Sequence, residues 1–188
     1  MALRMKKRLI LPESQFDIAI SRLCHQLIEN FPDFDDTVLM GLQPRGIFLA
    51  QRIQSELSEL GYKDVPVGQL DTTFHRDDFR RKDNPISANK TSVPFLVEDK
   101  KVILIDDVLY TGRSVRAALD AMIAFGRAKS VHLLVLVSRK NAQELPIKAS
   151  FIGKLVNTME SEKVIVEWSG KSDEKGKVWL VGNSKDNG

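Results

Sequence analysis

The chain has 188 residues, 28 Lys and Arg against 25 Asp and Glu, and 43% hydrophobic residues. That length suits a single domain with a two-faced core, expected to span 1–188 with flexible ends at 1–9 and 182–188. A net charge of +3 is too small an excess to diagnose nucleic-acid binding unless the cations cluster locally. Cys24 is the only cysteine, which excludes an intrachain disulfide and a cysteine-built metal site. His25, His75 and His132 show no zinc-ligand spacing.

The basic start, Met1 to Arg8, leads into Pro12 without a long apolar run, so a signal peptide is not expected. No segment reaches transmembrane length, no membrane partner is expected, and the cytoplasm is the expected location. From Glu13, the residues Phe16, Ile20, Leu23, Leu27 and Ile28 recur at spacings of three and four, predicting an amphipathic helix that ends near Pro32 and buries Cys24. Thr37 to Leu42 reads as a strand. The turn Gln43-Pro44-Arg45-Gly46 and a helix over about Ile47–Leu60 follow, stopped by Gly61. Val65 to Leu70 is the next strand.

Phe74 to Thr91 is highly charged and lacks either periodicity, so it reads as a long mobile loop or extended hairpin leaving a strand's end. Val102 to Ile105 is wholly aliphatic, as in a strand buried on both faces of a parallel sheet. A helix over about Ser114–Phe125 comes next, ended by Gly126, and Val131 to Val137 is another aliphatic strand. Shorter strands are expected over Ala149–Gly153, Val164–Trp168 and Val178–Val181. Alternating strands and helices with crossover-length connections predict an α/β fold with a central parallel sheet flanked by helices.

The chemistry concentrates in Asp106-Asp107-Val108-Leu109-Tyr110-Thr111-Gly112-Arg113-Ser114. Ligands of parallel sheets bind beyond the strands' carboxyl ends, so both acids emerge where a substrate would sit. Adjacent carboxylates repel, and holding them there is costly unless hydroxyls or a cation compensate. Thr111 to Ser114 supply hydroxyls, backbone N–H groups and a helix N-terminus able to hold a phosphate. Arg45-Gly46, on the preceding strand-to-helix turn, could receive a second anion, although taken alone Arg45 is an ordinary solvated arginine. The charged run after Asp71 is equally compatible with a solvated face or with a cover that brings Arg76, Arg80 or Arg81 to developing negative charge.

Four aliphatics, two acids, three residues, Thr-Gly, any residue and Ser resemble the phosphoribosyl-diphosphate signature of the type I phosphoribosyltransferases. The resemblance implies that family's fold, with a long flexible loop and a small C-terminal hood. It also implies that Asp106 and Asp107 bind the ribose hydroxyls, that Val108 to Ser114 cradle the 5'-phosphate, and that the Pro44-Arg45-Gly46 turn receives pyrophosphate. The catalytic set so implied is Asp106, Asp107, Arg45 and Arg76. Magnesium is the implied cofactor, met by Asp106 and Asp107 indirectly.

The runs Asp71 to Phe79, Asp106 to Ser114, Glu144-Leu-Pro-Ile147, Gly153-Lys154 and Ser161-Glu-Lys-Val164 are similar to the bacterial pyrimidine operon attenuation regulators, which are also uracil phosphoribosyltransferases. This implies uracil as acceptor and UMP as product. It further implies base contacts around Val137, Ser138 and Arg139, a leader-RNA hairpin as partner through Lys148 and Lys154, and a homodimer or homotetramer. After Val137 that family continues Asp-Arg-Gly-His-Arg, whereas this chain reads Ser138-Arg-Lys-Asn-Ala-Gln143, and Pro44 stands where a threonine is usual. A purine-salvage phosphoribosyltransferase and a non-catalytic nucleotide-sensing RNA-binding attenuator are the competing readings.

Overall fold

In the computed structural model, residues 5–75, 90–140, 142–169 and 175–183 are described. The central sheet contains β2 (Thr37–Leu42), β3 (Val67–Leu70), β4 (Lys101–Leu109), β5 (Ser130–Lys140) and β6 (Phe151–Asn157), in the order β3-β2-β4-β5-β6. Every pairing in it is parallel. Helices α1 (Glu13–Asn30) and α2 (Gly46–Glu59) cover one face and α3 (Arg113–Met122) the other, extended by a 3-10 turn at Ile123–Phe125. Two apolar clusters follow from this layering. Phe16, Ile20, Leu23, Leu27, Leu49 and Ile53 meet Ile103 and Ile105 on one face. On the other, Val115, Ala118 and Met122 meet Val102, Leu104 and Val135. Buried aliphatics on both faces explain the unbroken apolar reading of β4 and β5.

A second, three-stranded antiparallel sheet runs in the order β1-β8-β7, from β1 (Met5–Leu11), β8 (Lys175–Asn183) and β7 (Lys163–Ser169). This is the hood, and it departs from expectation in two ways. Residues 5–9, expected to be flexible, are five of the seven residues of a paired strand, and Gly182 continues β8 rather than opening a loose tail. The C-terminal strands therefore form a separate sheet with the N-terminal one. The hood is fixed by Leu11, Val166 and Val178, which join the cluster around α1. Phe16 stacks edge-on against Trp168 at 5.3 Å. On β8, a Cβ at Gly176 would stand 2.3 Å from the Phe16 ring, and Val178 and Leu180 on the same face are buried. That face of β8 is thus the inner one.

Helix bounds lie close to the periodic patterns; the strands differ more. β4 runs on through both acids to Leu109, because the longer β5 keeps pairing with it: Asp106 opposes Val135, Val108 opposes Val137 and Leu109 opposes Ser138. β6 begins two residues later than Ala149 and continues to Asn157.

Candidate active site

The connection β2–α2–β3 leads outward from β2 in one direction, and β4–α3–β5 leads outward from β4 in the other. The order therefore reverses between β2 and β4, the place where open α/β sheets form a ligand crevice at their carboxyl ends. β2 stops pairing with β4 at Gly41 opposite Ile105. Beyond that point the β2 side of β4 is bordered by the Gln43 to Gly46 turn, in which the Gln43–Pro44 peptide is cis. The sequence-predicted residues at the ends of these two strands are thereby brought together.

Gly46 shows how close they come. A Cβ there would lie 2.3 Å from the carbonyl oxygen of Ile105 and 3.0 Å from the Cα of Asp106, so only glycine lets the start of α2 rest against the acid-bearing strand. Arg45, exposed at the N-cap position of α2, acts electrostatically on Asp107.

The two acids differ in environment. Asp107 is 7% exposed, whereas Asp106 is half-buried. The Asp107 amide donates to Asp106 Oδ1 at 2.9 Å. Burial pushes the Asp107 carboxyl above its ordinary range, opposed by the Arg45 guanidinium, the Val108 amide and a hydrogen bond with Asp106. Its Oδ2 is buried and has no hydrogen-bond partner among the described residues. An orphaned carboxylate oxygen is the group a substrate hydroxyl or a cation would satisfy.

The loop after β4 turns sharply at Gly112, whose φ of +88° is the left-handed conformation that suits glycine at the N-cap position of α3. The loop is held from one side by the segment that follows β5. The amides of Glu144 and Leu145 donate to the Thr111 carbonyl at 3.0 and 3.2 Å, and Arg113 pairs with Glu144 at 2.7 Å. The start of α3 is held in place by these contacts, and a helix N-terminus of this kind is able to hold an anion.

The remaining expected residues are placed less uniformly. Val137 is wholly buried in the core, and Ser138 and Arg139 are each 4% exposed. Ser138 and Arg139 line a cavity of about 520 Å³ with Leu109, Gln143, Ile147 and the exposed Lys148. Lys154 is half-buried on β6, the edge strand of the central sheet as described. Arg76, Arg80 and Arg81 lie outside the described residues, as does most of the Phe74 to Thr91 segment. Its described base is anchored: the Asp71 amide donates to Thr91 Oγ1 at 3.0 Å, and Arg116 on α3 donates to the His75 carbonyl at 3.1 Å.

Sequence reasoning placed Lys6 and Arg8 only in a basic run, Arg4 to Arg8, able to meet RNA phosphates, and not in a strand. With Leu180 and Gly182 from the inner face of β8 and Asn157, Thr158 and Ser161 from the β6–β7 connection, they line a cavity of about 560 Å³ beneath the hood. Their only sequence signal was a basic cluster, which carries no indication of strand pairing.

Residues 10–172 match the model of the phosphoribosyl transferase domain. The chain belongs to the phosphoribosyltransferase family. Its relatives include the bifunctional protein PyrR of Streptococcus agalactiae, 42% identical over 87% of this chain and 91% of the relative. The bifunctional protein PyrR of Ligilactobacillus salivarius is 47% identical over 79% of this chain and 84% of the relative. Among solved structures, the hypoxanthine phosphoribosyltransferase of Trypanosoma cruzi superposes with a TM-score of 0.67, covering 94% of this chain and 97% of its own at 10% identity. That likeness confirms a phosphoribosyltransferase fold, with its parallel sheet and hood. Similarity at the level of sequence places the chain with the PyrR proteins.

Proposed function

We propose that this chain transfers phosphoribose from phosphoribosyl diphosphate to uracil, giving UMP and pyrophosphate, and that it also regulates pyrimidine genes by binding a leader-RNA hairpin. The observation that carries the catalytic reading is the buried, partnerless Asp107 Oδ2 at the sheet's switch point, with the Arg45-Gly46 turn on one side and the Thr111 to Ser114 anion site on the other. Donor hydroxyls satisfy Asp106 and Asp107, the amides at the start of α3 take the 5'-phosphate, and Arg45 faces the diphosphate. The acceptor lies against the end of β5, Val137 to Arg139. Its nitrogen forms the bond to C1' as the bond from C1' to the diphosphate oxygen breaks, and the nitrogen's proton is lost to solvent.

No side chain serves as a nucleophile. Catalysis comes from alignment of the two reactants and from charge placed around the departing diphosphate. Asp106 and Asp107 are two neighbouring carboxylates, with no larger cluster of acid, His or Cys ligands among the described residues, and would meet magnesium indirectly in an oxygen environment that suits a hard cation. When bound, the metal neutralises diphosphate charge.

The regulatory half rests on the relatives' bifunctional character and on Lys148 and Lys154, two cations that could meet hairpin phosphates. A homodimer or homotetramer is part of this reading.

Turnover of phosphoribosyl diphosphate with uracil, hypoxanthine, guanine, xanthine and orotate in parallel tests the enzyme. Uracil should give the highest rate; a preference for hypoxanthine or guanine would move the chain to purine salvage, and no product from any base would refute catalysis. Filter binding to the leader RNA of a pyrimidine operon, with scrambled RNA alongside, tests regulation. Equal affinity for the two RNAs would reject it.

A further inference from the structure

Arg139 is an arginine in an unusual position. It is 4% exposed near the end of β5, and its guanidinium contacts two separate parts of the molecule. Its Cζ lies 3.8 Å from the centroid of the Tyr110 ring, in the middle of the donor loop. Its Nε donates to Thr158 Oγ1 at 2.8 Å, and its Nη2 donates to the Met159 carbonyl at 3.0 Å. Thr158 and Met159 belong to the connection between β6 and the hood, and both line the cavity beneath it. One rigid planar cation therefore spans from the donor loop to the wall of the hood cavity.

The backbone at this position is tied down as well. Gln143 Nε2 donates to the Arg139 carbonyl at 3.0 Å, immediately before the Glu144 and Leu145 amides that hold Thr111. The exit of β5 thus holds the donor loop twice, at Tyr110 through the stacked guanidinium and at Thr111 through hydrogen bonds. Among the described residues, only the first of these contacts also reaches the hood connection.

We propose that Arg139 is a positioning residue that couples the donor loop to the hood, so that filling the donor site prepares the acceptor side. The proposal rests on the phosphoribosyltransferase reading above. A bound donor further restrains Tyr110, and the stacked guanidinium passes that restraint to Thr158 and Met159. An acceptor then meets a wall whose ordering has already taken place. Coupling of this kind is reciprocal: each substrate tightens the other by the same factor. Lysine could not replace Arg139, because an ammonium has no plane to stack on the ring while two in-plane donors reach Oγ1 and a carbonyl.

The test is an initial-rate study with phosphoribosyl diphosphate and the best acceptor of the base panel varied together, giving the factor by which saturating donor lowers the acceptor KM. Removing Arg139 itself would leave a hole in a buried place, so the variants are made at its two ends. Tyr110→Leu and Thr158→Val should each reduce that factor severalfold, from on the order of tenfold in the wild type toward one. Tyr110→Phe keeps the ring and should keep the coupling. With Thr158→Val, the affinity for donor alone, measured by calorimetry, should stay within about twofold, since its contact lies on the hood side. A coupling factor unchanged in both Tyr110→Leu and Thr158→Val would overturn the proposal while leaving the activity assignment intact. Failure of the wild type to turn over any base would overturn both.

Discussion

Replacing Asp107 by Asn should stabilise the protein while abolishing donor binding. Asp107 is 7% exposed, its Oδ2 has no partner, and burial raises its carboxyl above the ordinary range. Arg45, the Val108 amide and Asp106 offset part of the burden, so the net cost of the charge is well below that of an isolated buried ion. Asn has the same shape and leaves the same position unsatisfied, so the substitution isolates the charge. A gain of about 1 kcal/mol is expected near neutral pH, typical of relieving a functional site. In a domain of this size that corresponds to a melting temperature higher by about 2–4 °C.

The sign of the pH dependence follows from linkage. A carboxyl with a higher pKa in the fold than in the unfolded chain binds its proton better when folded. The wild type therefore loses stability as pH rises from the ordinary carboxylate range through the raised value, and the loss is constant above it. The Asn variant does not titrate there. Its advantage should be small at pH 4 and full at pH 7.5, read from thermal unfolding at both. Phosphoribosyl diphosphate with magnesium should raise the melting temperature of the wild type and leave that of Asp107→Asn unmoved. Equal melting temperatures at pH 7.5 without ligand, or an advantage of the same size at both pH values, would refute the account of Asp107 as a carboxyl held at a cost.

Gly46→Ala introduces a Cβ 2.3 Å from the Ile105 carbonyl oxygen and must push the Arg45 turn away from β4; a stability loss of about 1–3 kcal/mol and at least tenfold weaker donor binding by calorimetry are expected, and native donor affinity would contradict the close approach. Thr111→Ala should weaken donor binding by at least tenfold while circular dichroism stays native, and unchanged affinity would remove the hydroxyl from the site. Cys24 is fully buried, and burial pushes its thiol up to about 12, so the native protein at pH 8 should react with a thiol reagent only at the rate of unfolding; rapid stoichiometric labelling without denaturant would contradict its placement. Phe16→Ala should cost about 3–5 kcal/mol in urea unfolding, because its ring joins α1 to Trp168 and to Gly176 of the hood, and a loss under 1 kcal/mol would show that the hood is held otherwise.

What was legible in the sequence was what local pattern determines. Phe16, Ile20, Leu23 and Leu27 repeat at helical spacing, and all four are fully buried on one face of α1. The two acids and the Thr-Gly turn read as a sheet-edge site because strand, loop and helix are consecutive there. β1 was not legible. Lys6-Lys7-Arg8 looks like a loose basic end, and it is a strand only because β8, at the other end of the chain, offers a partner: Lys6 opposes Gly182 and Arg8 opposes Leu180. A contact of such sequence separation leaves no local period to detect. The extension of β4 through Asp106 was hidden for the same reason, since it depends on how far β5 continues.

The segment that departs from the relatives after Val137 shows the same distinction in chemical form. Read as a string, Ser138-Arg-Lys-Asn-Ala-Gln143 lacks the acid, glycine and histidine of the family resembled, which leaves open both the choice of base and the contact with RNA. In three dimensions Ser138 faces a cavity lined with Leu109, and Arg139 joins Tyr110 of the donor loop to Thr158 of the hood connection. Residues 110, 139 and 158 come from the loop after β4, the end of β5 and the connection after β6, with no common motif, so no spacing rule could have grouped them. A buried arginine is costly unless it is compensated, and here the Tyr110 ring faces the cation while two acceptors take two of its five N–H groups. Under the proposed function, the divergent segment borders the acceptor, and its Arg139 makes the contact between the donor loop and the hood connection. Selectivity among bases can drift in such an arrangement while the donor chemistry stays fixed, and the five-base panel reads out the first without disturbing the second.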